Sequence, residues 1–507
     1  MTKTKRSRIL STILACVSVL FIGLSFAALF AARWYVAVYG QMGFDSVLYT
    51  LFSGLNGMDS GLIRSFLAAV VPKTACCTAA ATLVLFFTGT KEFAVTLFQK
   101  VRLRLFPVWR PVALVCSLLL CCGVLFVAAK YVELDKYIDS VIHKSTIFEN
   151  EYKDPKTANI TFPEEKRNLI YIFLESMEIS YTSNQQNGML PYDTIPELTA
   201  LAKENVNFSP NENVGGFSNA VGTNWTIAAM VAQTSGIPLK TPPGIDGNGY
   251  GQDGNFLPGV TSITDILRDN GYYQALMVGS DAAFGGRLQY YTRHGIDKVY
   301  DIHSARADGI VPEDYLVWWG MEDKHLFTYA QQELPKIAAG EQPFAMTLLT
   351  VDTHHISGYV CDLCENTYEE QYENVMSCSS RQVYAFLDWL KQQDFYENTT
   401  VVIVGDHLSM DNGYFQRNSP EGYERTVYNC IVNAPIQPAN SQNRKFCAVD
   451  MFPTTLAAMG CHIEGDRLGL GTNLFSETPT LMETLGVGTF NHQISLTSSY
   501  YINHFFF

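Results

Sequence analysis

Four short apolar runs in the sequence lead directly into side chains that can bind metal ions or move protons. The runs read LIYIFL, QALMVGS, FAMTLLTV and TTVVIVG. The side chains that follow them are, in the same order, Glu175, Asp281, the segment Asp352-Thr353-His354-His355, and the pair Asp406-His407. A glutamate, an aspartate and a histidine form a ligand set suited to a divalent ion such as Mn²⁺ or Zn²⁺. The pattern therefore predicts a metal site, if the fold brings these ends together.

Each of these residues also has an ordinary structural explanation. Glu175 could stabilise the positive end of a helix dipole, Asp406 could cap a helix, and His407 could be a hydrogen-bonded loop residue. In an open parallel sheet, however, ligands bind beyond the carboxyl ends of the strands, and those ends share one edge. Four such endings in a single sheet favour a common site over four separate coincidences.

A candidate nucleophile lies in the segment 219–239, which reads NAVGTNWTIAAMVAQTSGIPL. Gly222 gives the chain a flexible approach, and Thr226 begins the apolar helical pattern IAAMVA. A hydroxyl at a helix N-terminus lies beside free backbone N–H groups, which favour its alkoxide form and a nearby phosphate. The alternative is that Thr226 or Thr223 is only the N-cap of this helix.

The elements that must hold these residues alternate along the chain from about residue 168. The predicted strands are 169–174, 273–278, 344–350, 400–404 and 427–432. The predicted helices are 195–204, 226–233, 262–269, 313–336, 369–392 and 450–459. Continuous apolar strands separated by helices predict an α/β fold, with a mostly parallel central sheet and helices on both faces.

The first 130 residues have a different composition. They contain three long apolar stretches, and about 20 apolar residues cross the hydrocarbon core of a bilayer. The second stretch is uncharged over 74–90 and extends back to 68 if Lys73 reaches the interface with its side chain. The predicted transmembrane helices are 9–32, 68–90 and 111–129. The first is longer than the roughly 7–15 apolar residues of a cleaved signal peptide, and further spans follow it, so we expect an uncleaved anchor.

The distribution of charge predicts the orientation of this anchor. Residues 1–130 hold 13 Lys and Arg against 3 Asp and Glu, whereas residues 131–507 hold 22 against 46. Cations cluster before the first span and between the second and third, which predicts that both segments are cytoplasmic. Three spans then place the acidic remainder outside the cytoplasm. The net charge of −14 argues against a nucleic-acid partner.

Twelve cysteines divide evenly between the anchor region and the rest of the chain. Those beyond the anchor are Cys361, Cys364, Cys378, Cys430, Cys447 and Cys461. Cys361 and Cys364 with Cys378 could staple one loop by a disulfide, which is allowed outside the cytoplasm. A zinc site needs about four ligands, and the Cys361-x-x-Cys364 pair has no second pair at suitable spacing. The sequence therefore favours a disulfide or free thiols over a metal, and leaves the pairing open.

Six motifs occur in an order that resembles a known enzyme family. They are NLIYIFLESME, GTNWTIAAMVAQTSGIPL, GSDAAFGGR, TVDTHH, VVIVGDHLSMDN and RLGLGTNLFS, within residues 168–476. The set is similar to membrane phosphoglycerol transferases of the lipoteichoic-acid-synthase and periplasmic-glucan type, in the sulfatase and alkaline-phosphatase-like superfamily. The residue pattern predicts an anchor over 1–130 and an amphipathic linker helix over 131–160. The resemblance then implies a sulfatase-like catalytic domain over 161–480, followed by a tail over 481–507.

The resemblance also implies roles for individual residues. Glu175, Thr226, Asp406 and His407 match the metal ligands, with Thr226 as the nucleophile. His354 matches a substrate-site histidine that could act as acid or base, and Asp281 and Arg287 match residues that contact the headgroup. The spacing from Asp281 to Arg287 is closer to the glucan-type enzymes, and the chain has fewer spans than the five usual in lipoteichoic acid synthases.

The activity implied is transfer of phosphoglycerol from phosphatidylglycerol to a surface glycan or polyglycerolphosphate through a phospho-threonine intermediate. The implied cofactor is a divalent metal, with Mn²⁺ preferred over Mg²⁺ or Zn²⁺. The implied location is a bacterial cell membrane, with a role in building the cell envelope.

The alternatives are transfer of another headgroup such as phosphoethanolamine, hydrolysis of a phosphodiester or sulfate ester, and a non-catalytic binding protein. A true sulfatase is disfavoured, because the Cys/Ser-x-Pro-x-Arg sequence is absent at Thr226.

Overall fold

The structure is a computed structural model in which the chain forms two compact units. It describes residues 3–40, 43–53, 60–87, 94–97, 101–104, 110–241 and 255–506. The first unit comprises Met1–Phe44 with Asp59–Tyr137, and the second comprises Asp45–Met58 with Ile138–Phe507.

The first unit is mainly helical. Along the chain its elements are α1 (Lys3–Tyr39), α2 (Phe44–Ser53, which from Asp45 onward belongs to the second unit), α3 (Ser60–Phe87), β1 (Ala94–Leu97), β2 (Val101–Arg104), α4 (Arg110–Tyr131) and α5 (Leu134–Ile142, shared with the second unit). Helix α1 packs against both α3 and α4, and Trp34 Nε1 donates a hydrogen bond to Ser65 Oγ. Strands β1 and β2 pair antiparallel.

Three of these helices are long and apolar enough to cross a membrane. The qualifying stretches are Thr12–Tyr39, Ile63–Leu85 and Leu114–Tyr131. Each predicted span falls on one of them, so the expectation of three N-terminal apolar helices is confirmed. Residues 88–90 of the second predicted span lie outside the described residues, as do Lys91 and Lys100 of the loop used for orientation.

The second unit is an α/β domain. Its remaining helices are α6 (Ile147–Glu151), α7 (Pro196–Glu204), α8 (Thr226–Ser235), α9 (Ile263–Asp269), α10 (Arg287–Arg293), α11 (Ile302–Ala307), α12 (Asp323–Ala338), α13 (Gln371–Leu390), α14 (Asn412–Asn418), α15 (Met451–Ala458), α16 (Leu481–Leu485), α17 (Val487–Ser495) and α18 (Ser499–Phe505). Its strands are β3 (Ile160–Thr161), β4 (Asn168–Leu174), β5 (Gly216–Ser218), β6 (Tyr273–Val278), β7 (Lys298–Tyr300), β8 (Phe344–Leu349), β9 (Thr399–Gly405), β10 (Thr426–Val432), β11 (His462–Ile463), β12 (Arg467–Leu468) and β13 (Gly471–Thr472).

Seven strands form the central sheet, in the order β5-β10-β9-β4-β8-β6-β7. The five strands from β9 to β7 run parallel, and β10 is antiparallel to both β9 and β5. The inner strands are buried along almost their whole length, as continuous apolar strands covered on both faces must be. The predicted fold class, a mostly parallel sheet flanked by helices, is therefore confirmed.

Two predicted elements are wrong in their bounds. The amphipathic linker helix predicted over 131–160 is instead two shorter helices, α5 and α6. The sequence predicts a single helix over 313–336, but α12 begins only at Asp323. The preceding segment forms backbone bonds with the end of β6 instead, since Met321 N–H donates to the carbonyl of Gly279. A Cβ on Gly320 would lie 2.1 Å from that same carbonyl oxygen. This close backbone contact replaces the helical bonds that the local pattern favours.

The C-terminal helices pack on the α/β domain. Tyr501 Oη donates to the carbonyl of Pro238, and Lys240 Nζ donates to the carbonyls of Ile494 and Leu496. Rings of Phe148 and Tyr501 are 5.3 Å apart in an edge contact. These bonds tie the tail to the residues that follow α8.

Candidate metal centre and active site

The sheet register places two of the predicted ligands side by side. Strands β4 and β9 are parallel neighbours, and Leu174 is directly opposite Gly405. The next residue on each strand, Glu175 and Asp406, therefore leaves the sheet at the same edge. The backbone N–H of Ser176 donates to Asp406 Oδ1 over 2.8 Å, which fixes the two strand ends together.

Helix α8 brings the candidate nucleophile to this edge. Gln233 accepts a hydrogen bond from Tyr171 on β4 and donates to the carbonyls of Gly405 and Asp406. The buried amide of Gln233 thus fixes α8 to the ends of these strands. The N-terminus of α8 lies beside the same strand ends. The chain enters α8 through Gly222, whose φ is +75° and where a Cβ would lie 2.8 Å from the carbonyl oxygen of Leu239.

Four side chains then converge on one point. Thr226 Oγ1 lies 3.3 Å from Glu175 Oε2 and 3.4 Å from His407 Nε2. His407 Nε2 is 3.6 Å from Glu175 Oε1 and 3.3 Å from Asp406 Oδ2. Trp225, not Thr226, occupies the N-cap position of α8, and Thr223 bonds to the carbonyl of Ala220. The explanation of Thr226 or Thr223 as a simple N-cap is therefore wrong.

The polar atoms of this cluster are oriented as a cation site requires. Asp406 Oδ1 accepts the N–H groups of Ser176 and His407, whereas Oδ2 is buried and has no hydrogen-bond partner. His407 Nδ1 lies 2.8 Å from the carbonyl of Leu408 and so carries the proton, which leaves the lone pair of Nε2 facing the cluster. Together the two carboxylates, the imidazole and the hydroxyl form a ligand set that fits a divalent cation. The Asp406 oxygen without a hydrogen-bond partner is available to such a cation.

The electrostatics agree with that fit. Burial, followed by the charge of Glu175, raises the pKa of Asp406 to about 8. Burial opposes the charged form of Glu175, but His354 and His407 outweigh it and lower the pKa of that carboxyl. Burial also opposes protonation of His407, yet Asp406 and Glu175 raise its pKa overall. Buried carboxylates with this mutual repulsion are stabilised by a positive charge between them.

His354 lies beside the cluster, in the loop that follows β8. Its ring is 4.6 Å from that of Trp319 and 4.4 Å from that of His355. Its Nδ1 is 2.8 Å from the carbonyl of His355, so Nε2 carries the lone pair. Burial lowers the pKa of His354 despite the opposing charge of Glu175. A neutral imidazole of this kind can accept a proton.

Asp281 lies in the segment that follows strand β6, and Arg287 is the first residue of the next α-helix, α10. The buried guanidinium of Arg287 donates to Ser280 Oγ and to the carbonyls of Asp281 and Phe284. Burial lowers the pKa of Arg287 to about 10, so it stays cationic, and its charge interacts with Glu175. The carboxylate of Asp281 instead accepts from the Ala283 N–H and pairs with His303 at 3.1 Å. Within the described part of the chain, it makes no hydrogen bond to the four-residue cluster.

The sequence analysis missed a buried ion pair that supports the cluster. Glu178 pairs with Arg425 and accepts the N–H of Ser409 over 2.6 Å. Arg425 also donates to the carbonyl of Ser409 and lies 3.4 Å above the ring of Phe415. These bonds hold the loop that begins with Asp406. In the sequence, Glu178 could be singled out only as part of the ESME motif. That motif does not identify Arg425 as its partner.

Two aromatic residues near the nucleophile were also missed. Tyr49 on α2 donates to the carbonyl of Gly285 over 2.6 Å, and its ring is 5.7 Å from that of Trp225. Trp319, which the sequence placed in a helix, packs on His354 and on Phe284. No sequence pattern points to Tyr49, because it lies between two predicted spans.

Comparison with known proteins identifies relatives over the same region. The chain is 33% identical over 256 residues to phosphoglycerol transferase I of Xanthomonas euvesicatoria, which is 49% of this chain and 34% of that protein. It is 30% identical over 335 residues to phosphoglycerol transferase I of Escherichia coli, which is 64% of this chain and 41% of that protein. The chain thus spans well under half the length of these curated relatives.

Solved structures share the fold at low identity. The lipoteichoic acid synthase LtaP from Listeria monocytogenes aligns with a TM-score of 0.50 at 19% identity, over 65% of this chain and 80% of that one. Lipooligosaccharide phosphoethanolamine transferase A, an integral membrane protein from Neisseria meningitidis, aligns with a TM-score of 0.50 at 13% identity. That alignment covers 87% of this chain and 84% of the other, and at these identities both describe the fold alone.

The family described as Sulfatase matches residues 167–461, from the start of β4 to the residue before β11. That range is more than half of the chain and contains all the residues of the candidate centre. It agrees with the resemblance drawn from the six sequence motifs. The chain therefore belongs to the sulfatase family, a family of enzymes.

Proposed function

We propose that this protein transfers phosphoglycerol from phosphatidylglycerol to a glycan or polyglycerolphosphate at the outer face of a bacterial membrane. The observation that carries the proposal is the position of Thr226, whose hydroxyl lies within 3.4 Å of both Glu175 and His407. A threonine in place of the sulfatase nucleophile favours phosphoryl chemistry over sulfate-ester hydrolysis. Relatives named phosphoglycerol transferase I support the choice of headgroup.

Glu175, Asp406, His407 and Thr226 would hold the metal that this family implies, with Mn²⁺ the preferred ion. A bound divalent cation supplies positive charge that lowers the pKa of the Thr226 hydroxyl and offsets the charge of the phosphodiester. The buried carboxylates contribute the negative charge that selects a cation. The lone pair on His407 Nε2 completes the donor set.

The transfer proceeds in two balanced halves. In the first, Thr226 Oγ1 bonds to phosphorus, the bond to the diacylglycerol oxygen breaks, and the hydroxyl proton of Thr226 passes through His354 to that oxygen. In the second, an acceptor hydroxyl bonds to phosphorus, the bond to Thr226 breaks, and the acceptor proton returns to Thr226. Neutral His354 is suited to both transfers. Arg287 pairs with phosphate oxygens and orients the headgroup.

The membrane anchor gives this chemistry its location. In this proposal the three apolar helices cross the bilayer with the N-terminus in the cytoplasm, so that the α/β unit lies outside. A lipid donor must be reached from the leaflet in which it lies. Attachment of the enzyme to that leaflet raises the local concentration of the donor headgroup.

The test is to incubate the purified full chain with Mn²⁺ and phosphatidylglycerol labelled in its glycerol headgroup. We expect release of diacylglycerol, retention of the label on an added glycan or glycerophosphate acceptor, and loss of both with Thr226→Val. Thr328→Ala, an exposed threonine on α12, is the matched control and should behave as the wild type.

The same experiment separates the alternatives. Release of diacylglycerol from phosphatidylethanolamine but not from phosphatidylglycerol would assign the other headgroup. Free glycerol phosphate that forms equally well with and without acceptor would assign a hydrolase. No reaction with either lipid would contradict the proposal.

A further inference from the structure

A second cluster of metal-binding atoms lies apart from the candidate active-site cluster. Cys361 Sγ is 3.7 Å from Cys364 Sγ and 3.7 Å from Cys378 Sγ, and all three sulfur atoms lie within 4.8 Å of one another. Cys361 and Cys364 lie in the loop between β8 and α13, and Cys378 lies within α13. The fold therefore brings together the three cysteines that the sequence analysis grouped in one loop, and it places a third sulfur beside the Cys361-x-x-Cys364 pair.

The spacing of these atoms matches thiolate coordination of zinc. Two sulfurs bound to one tetrahedral Zn²⁺ at about 2.3 Å are separated by about 3.8 Å. Both measured separations from Cys361 agree with that value. The Cys-x-x-Cys spacing of Cys361 and Cys364 is also the one that zinc sites most often use. A disulfide would use only two of the three sulfurs.

The surroundings suit a cluster of thiolates. Gln382 Nε2 donates to Cys378 Sγ over 3.3 Å. The Arg381 guanidinium donates to Ser377 Oγ and to the carbonyl of Leu363, beside Cys364. Arg381 also pairs with Glu365 at 3.9 Å, and its bond to Leu363 fixes the backbone next to Cys364.

We propose that Cys361, Cys364 and Cys378 form a structural zinc site that fixes the β8–α13 loop to α13. Binding of Zn²⁺ releases one proton from each thiol that enters as a thiol, and no electrons are exchanged. The three sulfurs would hold the ion, and the fourth ligand that zinc requires would be a water molecule, which the partial exposure of Cys364 would admit. The same loop contains His354 and His355, and the site stabilises the loop without contact with the reacting atoms.

The test uses Co²⁺ as a spectroscopic substitute for Zn²⁺ in the full chain, purified in detergent and stripped of metal under reducing conditions. We expect a near-ultraviolet sulfur-to-cobalt charge-transfer band that saturates at one equivalent per chain and is displaced by Zn²⁺. The cluster around Thr226 contains no sulfur ligand, so it cannot produce this band. The result is thus independent of the proposed transferase activity.

Two variants make the result specific. Cys364→Ser, at the most exposed of the three positions, should lose the band while the unfolding temperature without metal stays near that of the wild type. Cys461→Ser, a buried cysteine outside the cluster, should keep the band. Absence of the band in the wild type, or its persistence in Cys364→Ser, would overturn the proposal. A disulfide between any two of the three cysteines, found in protein alkylated at lysis, would also overturn it.

Discussion

His407 Nε2 lies 3.4 Å from the hydroxyl oxygen of Thr226, while Nδ1 of the same ring is bonded to the carbonyl of Leu408. Because a carbonyl can only accept, Nδ1 holds the proton and Nε2 presents its lone pair to Thr226. The backbone of the β9 loop therefore sets the tautomer. His407 is prepared to bind a cation without any rearrangement of its ring.

Metal binding should stabilise the fold through Asp406. We expect Mn²⁺ at about 100 times its dissociation constant to stabilise the wild type by about 2.7 kcal/mol, which raises the unfolding temperature by several degrees. Asp406→Asn can keep the two backbone N–H bonds at Oδ1 but loses the orphaned carboxylate oxygen. Thermal unfolding of both proteins with Mn²⁺ and with a chelator checks this, and an equal Mn²⁺ shift in the variant would refute the role of Asp406.

Removal of one partner from the buried Glu178–Arg425 ion pair should greatly reduce the free energy of unfolding. Arg425→Ala leaves a buried carboxylate unpaired and removes the bond to Ser409, so we expect a loss of about 3–5 kcal/mol of stability. Arg417 and Glu370 form an exposed pair at 2.9 Å. Arg417→Ala should therefore cost no more than about 1 kcal/mol. Chemical denaturation of the two variants measures the contrast, and equal losses would contradict this account of the loop.

Lys240 should make stability depend on pH. Burial lowers its pKa from 10.5 to about 7, against the smaller opposing effect of Asp45. Between those values the unfolded chain holds a proton that the folded protein lacks, so unfolding takes up a proton and stability rises with pH. We expect Lys240→Met to reduce this rise between pH 7 and 10. The unfolding temperature across that range is the measurement, and unchanged slopes would show that Lys240 is charged when folded.

The positions of the site residues along the chain were predictable, but their contacts were not. The apolar runs that become β4, β6, β8 and β9 are visible in the sequence, and the strand predicted over 273–278 has the observed bounds. That Glu175 adjoins Asp406 depends on the register of Leu174 with Gly405. Register between strands more than 200 residues apart is set by packing across the whole sheet, which local patterns do not encode.

The missed features share one cause, which is contact between distant parts of the chain. Glu178 and Arg425 are separated by 247 residues along the chain. The predicted helix over 313–336 is shortened at its N-terminal end because Gly320 packs against the backbone of Gly279. In each case, contacts between distant residues select one of several conformations that the local sequence permits equally well.

The most direct test of the central claim is mass spectrometry of the peptide that contains Thr226, after brief reaction of the full chain with Mn²⁺ and phosphatidylglycerol and without acceptor. The account predicts a glycerophosphoryl group on Thr226 that disappears when a glycan acceptor is added, and no such group with Thr226→Val. Rapid turnover of the lipid while Thr226 stays unmodified, or a modification on another residue that persists in Thr226→Val, would contradict it.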